Sequence, residues 1–97
     1  MKTILESSNG RKFEVELKFY HHFARNGQYR VICEVSYNGR FYKITSHTTA
    51  STLIDEIQDA KADGESDYHI NLLYYANFFD DTMKEIILET LENLNDN

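Results

Sequence analysis

Three Asn-Gly dipeptides divide the first half of the chain into four segments rich in β-branched and aromatic residues. They are Asn9-Gly10, Asn26-Gly27 and Asn38-Gly39. Asn and Gly both tolerate the positive φ angles that tight hairpin turns require, so Asn-Gly between such segments is a strong hairpin signal. The sequence therefore predicts a four-stranded antiparallel β-meander over residues 1–48.

The lengths of the predicted turns decide which residues face each other across the sheet. The last hairpin is predicted to close through the two-residue loop Asn38-Gly39. In the middle hairpin a two-residue loop would interrupt the apolar face, whereas a three-residue loop over 25–27 sets Phe19 opposite Cys33 and keeps that face continuous. We therefore predict the three-residue loop in the middle hairpin.

For the first hairpin, the Asn-Gly dipeptide predicts another two-residue loop. That loop, Asn9-Gly10, sets Ile4 opposite Val15 on the core face of the sheet. It also places Leu5 opposite Glu14 on the outer face. The first strand is short and is expected to form an edge of the sheet.

The second half of the chain has apolar residues at three- and four-residue spacings, which indicates helices. The first helix is predicted over about 50–62, because Gly64 can end it. A second helical run can begin at Ser66 or Asp67, and Asp80-Asp81 can break it by capping a third helix. One long rod is the alternative, and we favour the break.

Helices that follow a meander most simply cover its apolar face as a second layer. The sequence therefore predicts an α+β fold, a four-stranded antiparallel β-meander packed on one face by two or three C-terminal helices. We expect a single domain over 1–97, with the meander in 1–48 and the helical layer in 49–97, because 97 residues suit one core. The predicted core residues are Phe13, Val15, Leu17, Phe19, Val31, Cys33, Val35, Tyr42, Ile44, Leu53, Ile57, Leu72, Ile86 and Leu91.

Charge is divided unevenly between the two halves. Residues 1–48 carry eight Lys or Arg against four Glu, and residues 49–97 carry two Lys against twelve acids, so +4 and −10 make up the net charge of −6. Such halves can attract each other across an internal interface or present opposite faces to two kinds of partner.

Cysteine content and hydropathy indicate the cellular compartment in which the protein is expected. Cys33 is the single cysteine, which excludes an internal disulfide and fits a reducing environment. The sequence has no apolar stretch near the roughly 20 residues that span a bilayer. We therefore expect a cytoplasmic protein that does not contact a membrane.

The residues that most suggest chemistry fit structural roles better. His21 and His22 are adjacent in a predicted strand, so they point to opposite faces and cannot hold one ion together. The predicted register buries Cys33, which makes it a packed cysteine rather than a nucleophile. We predict no catalytic, cofactor-binding or metal-binding residues, and no enzyme.

Aromatic residues in the second half exceed what one helix stripe can bury, and acids flank them. Because aromatics concentrate in the centres of interfaces, we expect a small non-enzymatic protein-interaction module, a regulator or inhibitor, whose acidic-aromatic helical surface contacts an unknown protein or forms a homodimer. The predicted partner-binding residues are Tyr68, Tyr74, Tyr75, Phe78, Asp80 and Asp81.

Two alternatives stay open. Tyr20, Arg30, Phe41 and Lys43 share the outer face of the predicted sheet and combine rings with cations, the pattern of sheets that bind single-stranded nucleic acid. In composition and layout the chain also resembles small phage-encoded inhibitors, such as anti-CRISPR proteins, which would imply that an acidic surface mimics nucleic acid. The −10 half makes nucleic acid the less favoured partner.

Overall fold

The first half of the chain forms one antiparallel sheet in which each strand pairs with its neighbours in sequence. This computed structural model describes the backbone of residues 1–94 and the side chains of residues 1–45 and 54–94. The strand order is β1-β2-β3-β4, which confirms the predicted four-stranded meander. The strands are β1 (Lys2–Glu6), β2 (Lys12–Phe23), β3 (Gln28–Tyr37) and β4 (Arg40–Ala50).

Three helices follow the sheet and cover one of its faces, which confirms the predicted α+β fold. They are α1 (Ser51–Ala62), α2 (Asp67–Phe78) and α3 (Asp81–Leu94). Helix α1 packs against β3 and β4, α2 lies against β2, and α3 reaches both β1 and β4. Residues on the other face of the sheet, the outer face, alternate with the buried ones along β2 from Lys12 to Phe19, whereas in β3 the consecutive residues Val31, Ile32 and Cys33 are all buried.

Two of the three predicted registers are confirmed. Asn38 and Gly39 both have positive φ angles, 50° and 77°, as a two-residue hairpin loop requires. In the middle hairpin Phe19 pairs with Cys33, as the three-residue loop predicted. A register shift between Arg30 and Ile32, near the start of β3, adds a β-bulge whose extra residue lies on β4, and the sequence did not predict it.

The register predicted for the first hairpin is wrong by one residue. Leu5 pairs with Phe13 and is buried, whereas Ile4 pairs with Glu14 and is 62% exposed. The loop is longer than two residues, because the Ser7 and Arg11 main chains still pair and the Asn9 side chain accepts a hydrogen bond from the Ser7 hydroxyl. A shift of one residue exchanges the two faces of a strand, so Leu5 replaces Ile4 in the core.

The break between α2 and α3 is confirmed, and side chains cap both helices. The Ser66 hydroxyl accepts a hydrogen bond from the backbone N–H of His69 at the start of α2. Asp80 Oδ1 accepts one from the backbone N–H of Met83, at 2.8 Å, at the start of α3. Each cap satisfies a donor that the first helical turn leaves without an intrahelical partner.

The core lies between the sheet and the helices, as predicted, but its helical members differ in part. Ile86 is 43% exposed, so its predicted place in the core is wrong. The buried stripe of α3 instead follows Met83, Ile87 and Leu91 at four-residue steps. The Leu53 side chain lies outside the described side chains. The buried cluster consists of Leu5, Phe13, Val15, Leu17, Phe19, Val31, Cys33, Val35, Ile54, Ile57, Ile70, Tyr74, Met83, Ile87 and Leu91.

The corrected register makes a prediction about two adjacent residues. Leu5→Ala should lower the free energy of unfolding by about 2–5 kcal/mol, because it leaves a cavity in the core. Ile4→Ala should change it by less than about 0.5 kcal/mol, because the Ile4 side chain is largely in solvent. Urea denaturation of the two variants measures the difference, and a larger loss for Ile4→Ala would restore the two-residue loop.

The cap of α3 makes a second prediction. Asp80→Ala should lower the free energy of unfolding by about 0.5–2 kcal/mol, because the Met83 N–H loses its acceptor. Asp80→Asn is the matched control, since Asn caps helices as well as Asp does and should leave stability nearly unchanged. Thermal unfolding of both variants checks this, and equal losses would mean that charge rather than capping is responsible.

Candidate functional site

A polar contact ties α2 to β2 beneath the helical layer. Tyr74 is fully buried, and its hydroxyl lies 2.5 Å from His21 Nδ1. His21 Nε2 lies 3.4 Å from the amide nitrogen of Gln58 on α1. With that amide as donor, the neutral imidazole carries its proton on Nδ1 and donates it to the Tyr74 oxygen. One turn earlier on α2, Asn71 Oδ1 accepts a hydrogen bond from the Phe19 backbone N–H at 3.1 Å.

The surroundings of this contact keep both groups neutral. Burial lowers the pKa of His21, and the nearby charges of Lys61 and then His22 lower it further. Burial also raises the pKa of Tyr74 to about 12. The Lys61 ammonium lies 5.7 Å from the centre of the Tyr74 ring. The arrangement therefore serves as a hydrogen-bonded link between α2 and the sheet.

The predicted partner-binding residues do not form one surface. Tyr74 was expected to contact a partner, and this expectation is wrong because Tyr74 is fully buried beneath α2. Tyr75 and Phe78 are half-buried, and Tyr75 stacks on Phe79. Tyr75 packs edge-on against Phe19 of β2, and Phe78 packs against Tyr74 of its own helix.

The exposed members of that set lie at opposite ends of α2. Tyr68, at the start of the helix, is 64% exposed. Asp80 and Asp81, beyond its end, are also exposed. Tyr68 is the second of the twelve residues of α2, so about 15 Å of helix separates it from the end of α2. Only Tyr68 therefore remains as an exposed aromatic residue among acids, beside Asp67.

The outer face of the sheet, by contrast, gathers all four residues of the nucleic-acid alternative. Tyr20 lies on β2, Arg30 on β3, and Phe41 and Lys43 on β4, where they alternate with the half-buried Tyr42 and Ile44. Phe41 is 67% exposed. Ile4 joins them from β1, a position that the sequence register had placed in the core.

Charges on the outer face alternate in sign across the strands. Lys18 and Lys43 are the cross-strand neighbours of Glu34. Lys2 is likewise opposite Glu16, at the edge of an open depression of about 430 Å³. Because each of these lysines has a carboxylate beside it, this part of the face has little net charge.

A second open depression, of about 400 Å³, lies between the β1–β2 turn and α3. Lys84 is the cation in its wall, and five acids surround it. Its lining residues are Glu6, Ser7, Ser8, Asp81, Lys84, Glu85, Leu88, Glu89 and Glu92.

Other reactive groups are packed or scattered. Cys33 is fully buried, and burial raises the pKa of its thiol to about 12, so the thiol stays protonated. The Tyr42 hydroxyl is buried without a hydrogen-bond partner among the described residues.

Among the residues that the structure describes, no three His, Cys, Asp or Glu side chains come together as metal ligands. No described helix has both the length and the apolar character that crossing a membrane requires.

Comparison with known proteins adds no relative to this description. The chain matches no protein-family model, no curated protein and no solved structure.

The lowered pKa of His21 predicts how stability depends on pH. The folded state binds this proton less readily than the unfolded state does, whose histidine pKa is about 6.5. Stability should therefore fall as pH decreases below about 6.5, until the lower pKa of the folded state is passed. His21→Asn keeps a polar group beside the Tyr74 hydroxyl and removes the titration, so urea denaturation should show a smaller loss between about pH 7 and pH 5. An equal loss in the variant would contradict this explanation.

Proposed function

We propose that this protein is a small, non-enzymatic, cytoplasmic protein-interaction module that engages its partner through the outer face of the sheet. The observation that supports it is the exposure of Phe41 (67%) and Ile4 (62%) on the face of the sheet opposite the buried cluster. Large apolar side chains at the surface are common singly, but here two share one face of the sheet, Ile4 on edge strand β1 and Phe41 on edge strand β4, with Ser36 and Glu16 between the two edges.

Charge favours a protein over a nucleic acid as the partner. A polyanion gains affinity from cations that lack neighbouring carboxylates, and Lys18 and Lys43 both flank Glu34. The helical layer adds many exposed acids, which repel a polyanion at long range. A protein partner can instead match the mixed charges and cover the exposed rings.

Binding of single-stranded nucleic acid is the second candidate function. The placement of Tyr20, Arg30, Phe41 and Lys43 on one face supports it, since rings stack on bases and cations contact phosphates. Nucleic-acid mimicry by the acidic helical layer, with the protein acting as an inhibitor, is a third proposal. It predicts a basic partner rather than one that contacts the sheet.

The outer-face proposal predicts which variant loses its partner. We expect the double variant Ile4→Ser, Phe41→Ser to lose at least about tenfold in affinity, a difference of about 1.4 kcal/mol. Tyr68→Ser, an equally exposed residue on the helical layer, is the matched control and should bind as the wild type does. The measurement captures binding proteins from nuclease-treated host lysate on the wild-type protein. Each retained protein is then titrated against the wild type, the double variant and Tyr68→Ser.

Three outcomes would redirect the assignment. Loss of binding in Tyr68→Ser alone would return the contact to the helical layer. Retention that disappears on nuclease treatment and weakens steeply with salt would favour nucleic acid. Equal binding by all three forms would remove the outer face as the contact surface.

A further inference from the structure

Strand β4 forms one edge of the sheet, and over residues 40–45 every second residue turns its main-chain N–H and C=O groups away from β3. The two-residue loop makes Tyr37 and Arg40 a hydrogen-bonded pair, and such pairs recur at every second residue along an antiparallel ladder. Tyr42 and Ile44 therefore bond to β3. The N–H and C=O groups of Phe41, Lys43 and Thr45 point away from the sheet. No described hydrogen bond uses these groups.

The opposite edge of the sheet is protected, which makes the open edge of β4 stand out. Strand β1 has five residues, and short edge strands offer little to pair with. Where β2 extends beyond β1, the Asn71 side chain covers the Phe19 N–H. Strand β4 has no proline, and its six residues 40–45 run in regular register before the β-bulge, so this part of the edge is as long as an ordinary strand.

The side chains along β4 indicate what kind of segment fits there. Arg40 and Lys43 are exposed, on opposite faces of β4, and β4 contains no acidic residue. Glu34 flanks Lys43 on the side of β3, whereas no strand lies beside Lys43 on the open side of β4. On the outer face, an added strand would place one of its side chains beside Lys43. On the core face, its alternate side chains would lie beside Tyr42 and Ile44, which are half-buried at the end of the apolar layer. The matching pattern alternates acidic and β-branched apolar residues.

A second copy of the chain fits this edge less well. Pairing β4 with itself would bring two copies of Arg40 and Lys43 together along one seam, with no acid from either β4 to offset them. Lysine on an edge strand is a common means of preventing such self-pairing. An acidic segment from another protein reverses the sign of this interaction.

We propose that β4 binds an extended, acidic segment of a partner protein by strand addition, through the main-chain groups of Phe41, Lys43 and Thr45. This inference rests on the proposed function and names its mode of binding, because Phe41 belongs to both the edge and the outer face. Main-chain hydrogen bonds supply affinity in such complexes, and the alternating side chains supply specificity.

The test uses proline at a position whose N–H faces solvent. Thr45→Pro removes one outward N–H and leaves the bonds between β3 and β4 in place, since edge strands tolerate proline there. Thr45→Val keeps that N–H and is the matched control. The probes are peptides of roughly ten residues, selected from a random displayed library on the full-length wild-type protein. We expect Thr45→Pro to bind them at least about tenfold more weakly and Thr45→Val to bind within about twofold.

Methylated peptides test the same bonds without changing the protein. N-methylation of the alternate amides that face β4 should abolish binding, whereas methylation of the intervening amides should not, because those point away from the sheet. The Lys43→Glu variant should bind the acidic peptides with about tenfold lower affinity than the wild type does. It should instead bind forms of these peptides in which lysine replaces the acidic residues. These results hold even if Thr45→Pro proves too unstable to study.

Opposite results would overturn the strand-addition proposal. It fails if the selected peptides bind Thr45→Pro as tightly as the wild type, if the methylation pattern has no effect, or if selection yields no acidic binder. A wild-type dimer that Thr45→Pro converts to a monomer would assign the edge to a second copy. If partner capture depends on Ile4 and Phe41 but not on Thr45→Pro, the outer-face proposal stands and strand addition fails.

Discussion

The register between β2 and β3 is the constraint on which the rest of the structure depends. Successive side chains of a strand point to opposite faces, so a slip of one residue would turn Phe13 through Phe19 toward solvent. The three-residue loop at 25–27 prevents that slip by setting Phe19 opposite Cys33. Because both residues then face the helices, the same register decides where α2 meets the sheet.

Polar contacts fix how α2 lies on that apolar face. Hydrophobic contact alone is non-directional and allows a helix to rotate or slide. The Asn71 and Tyr74 side chains each meet one defined group on β2, at Phe19 and His21. Two such bonds from adjacent turns leave one orientation of the helix. The Tyr42 hydroxyl differs, since it is buried without a partner among the described residues, at a cost of about 1–3 kcal/mol.

Particular residues show how far the sequence could predict this structure. The Asn38-Gly39 dipeptide predicted the last register correctly because that loop depends on backbone φ. The middle register was predicted correctly because only a three-residue loop keeps the apolar face continuous. The first hairpin differs because the Ser7 and Asn9 side chains bond to each other and to the Arg11 N–H, and so extend the loop. Ser and Asn at such positions commonly bond to nearby backbone, and that signal could have indicated the longer loop.

The candidate site was less predictable than the fold. Helix α2 is apolar on most of its sides, so periodicity could not tell which of Tyr74 and Tyr75 would be buried. His21 decides it, because it offers a hydrogen-bond partner at a single place in the sheet. The exposure of Ile4 could not be foreseen once the loop length was wrong. Side-chain chemistry also gives no direct signal for an open strand edge, since main-chain groups are the same in every sequence.

The sequential order of the strands has a consequence for the chain during its synthesis. Each strand pairs with its neighbour in sequence, so the whole sheet can form once β4 has left the ribosome. Its apolar face, however, is covered by residues as late as Leu91. At about 5–20 residues per second, the remaining helices take several seconds to appear. During that interval the nascent chain exposes the apolar face of the sheet, to which molecular chaperones can bind.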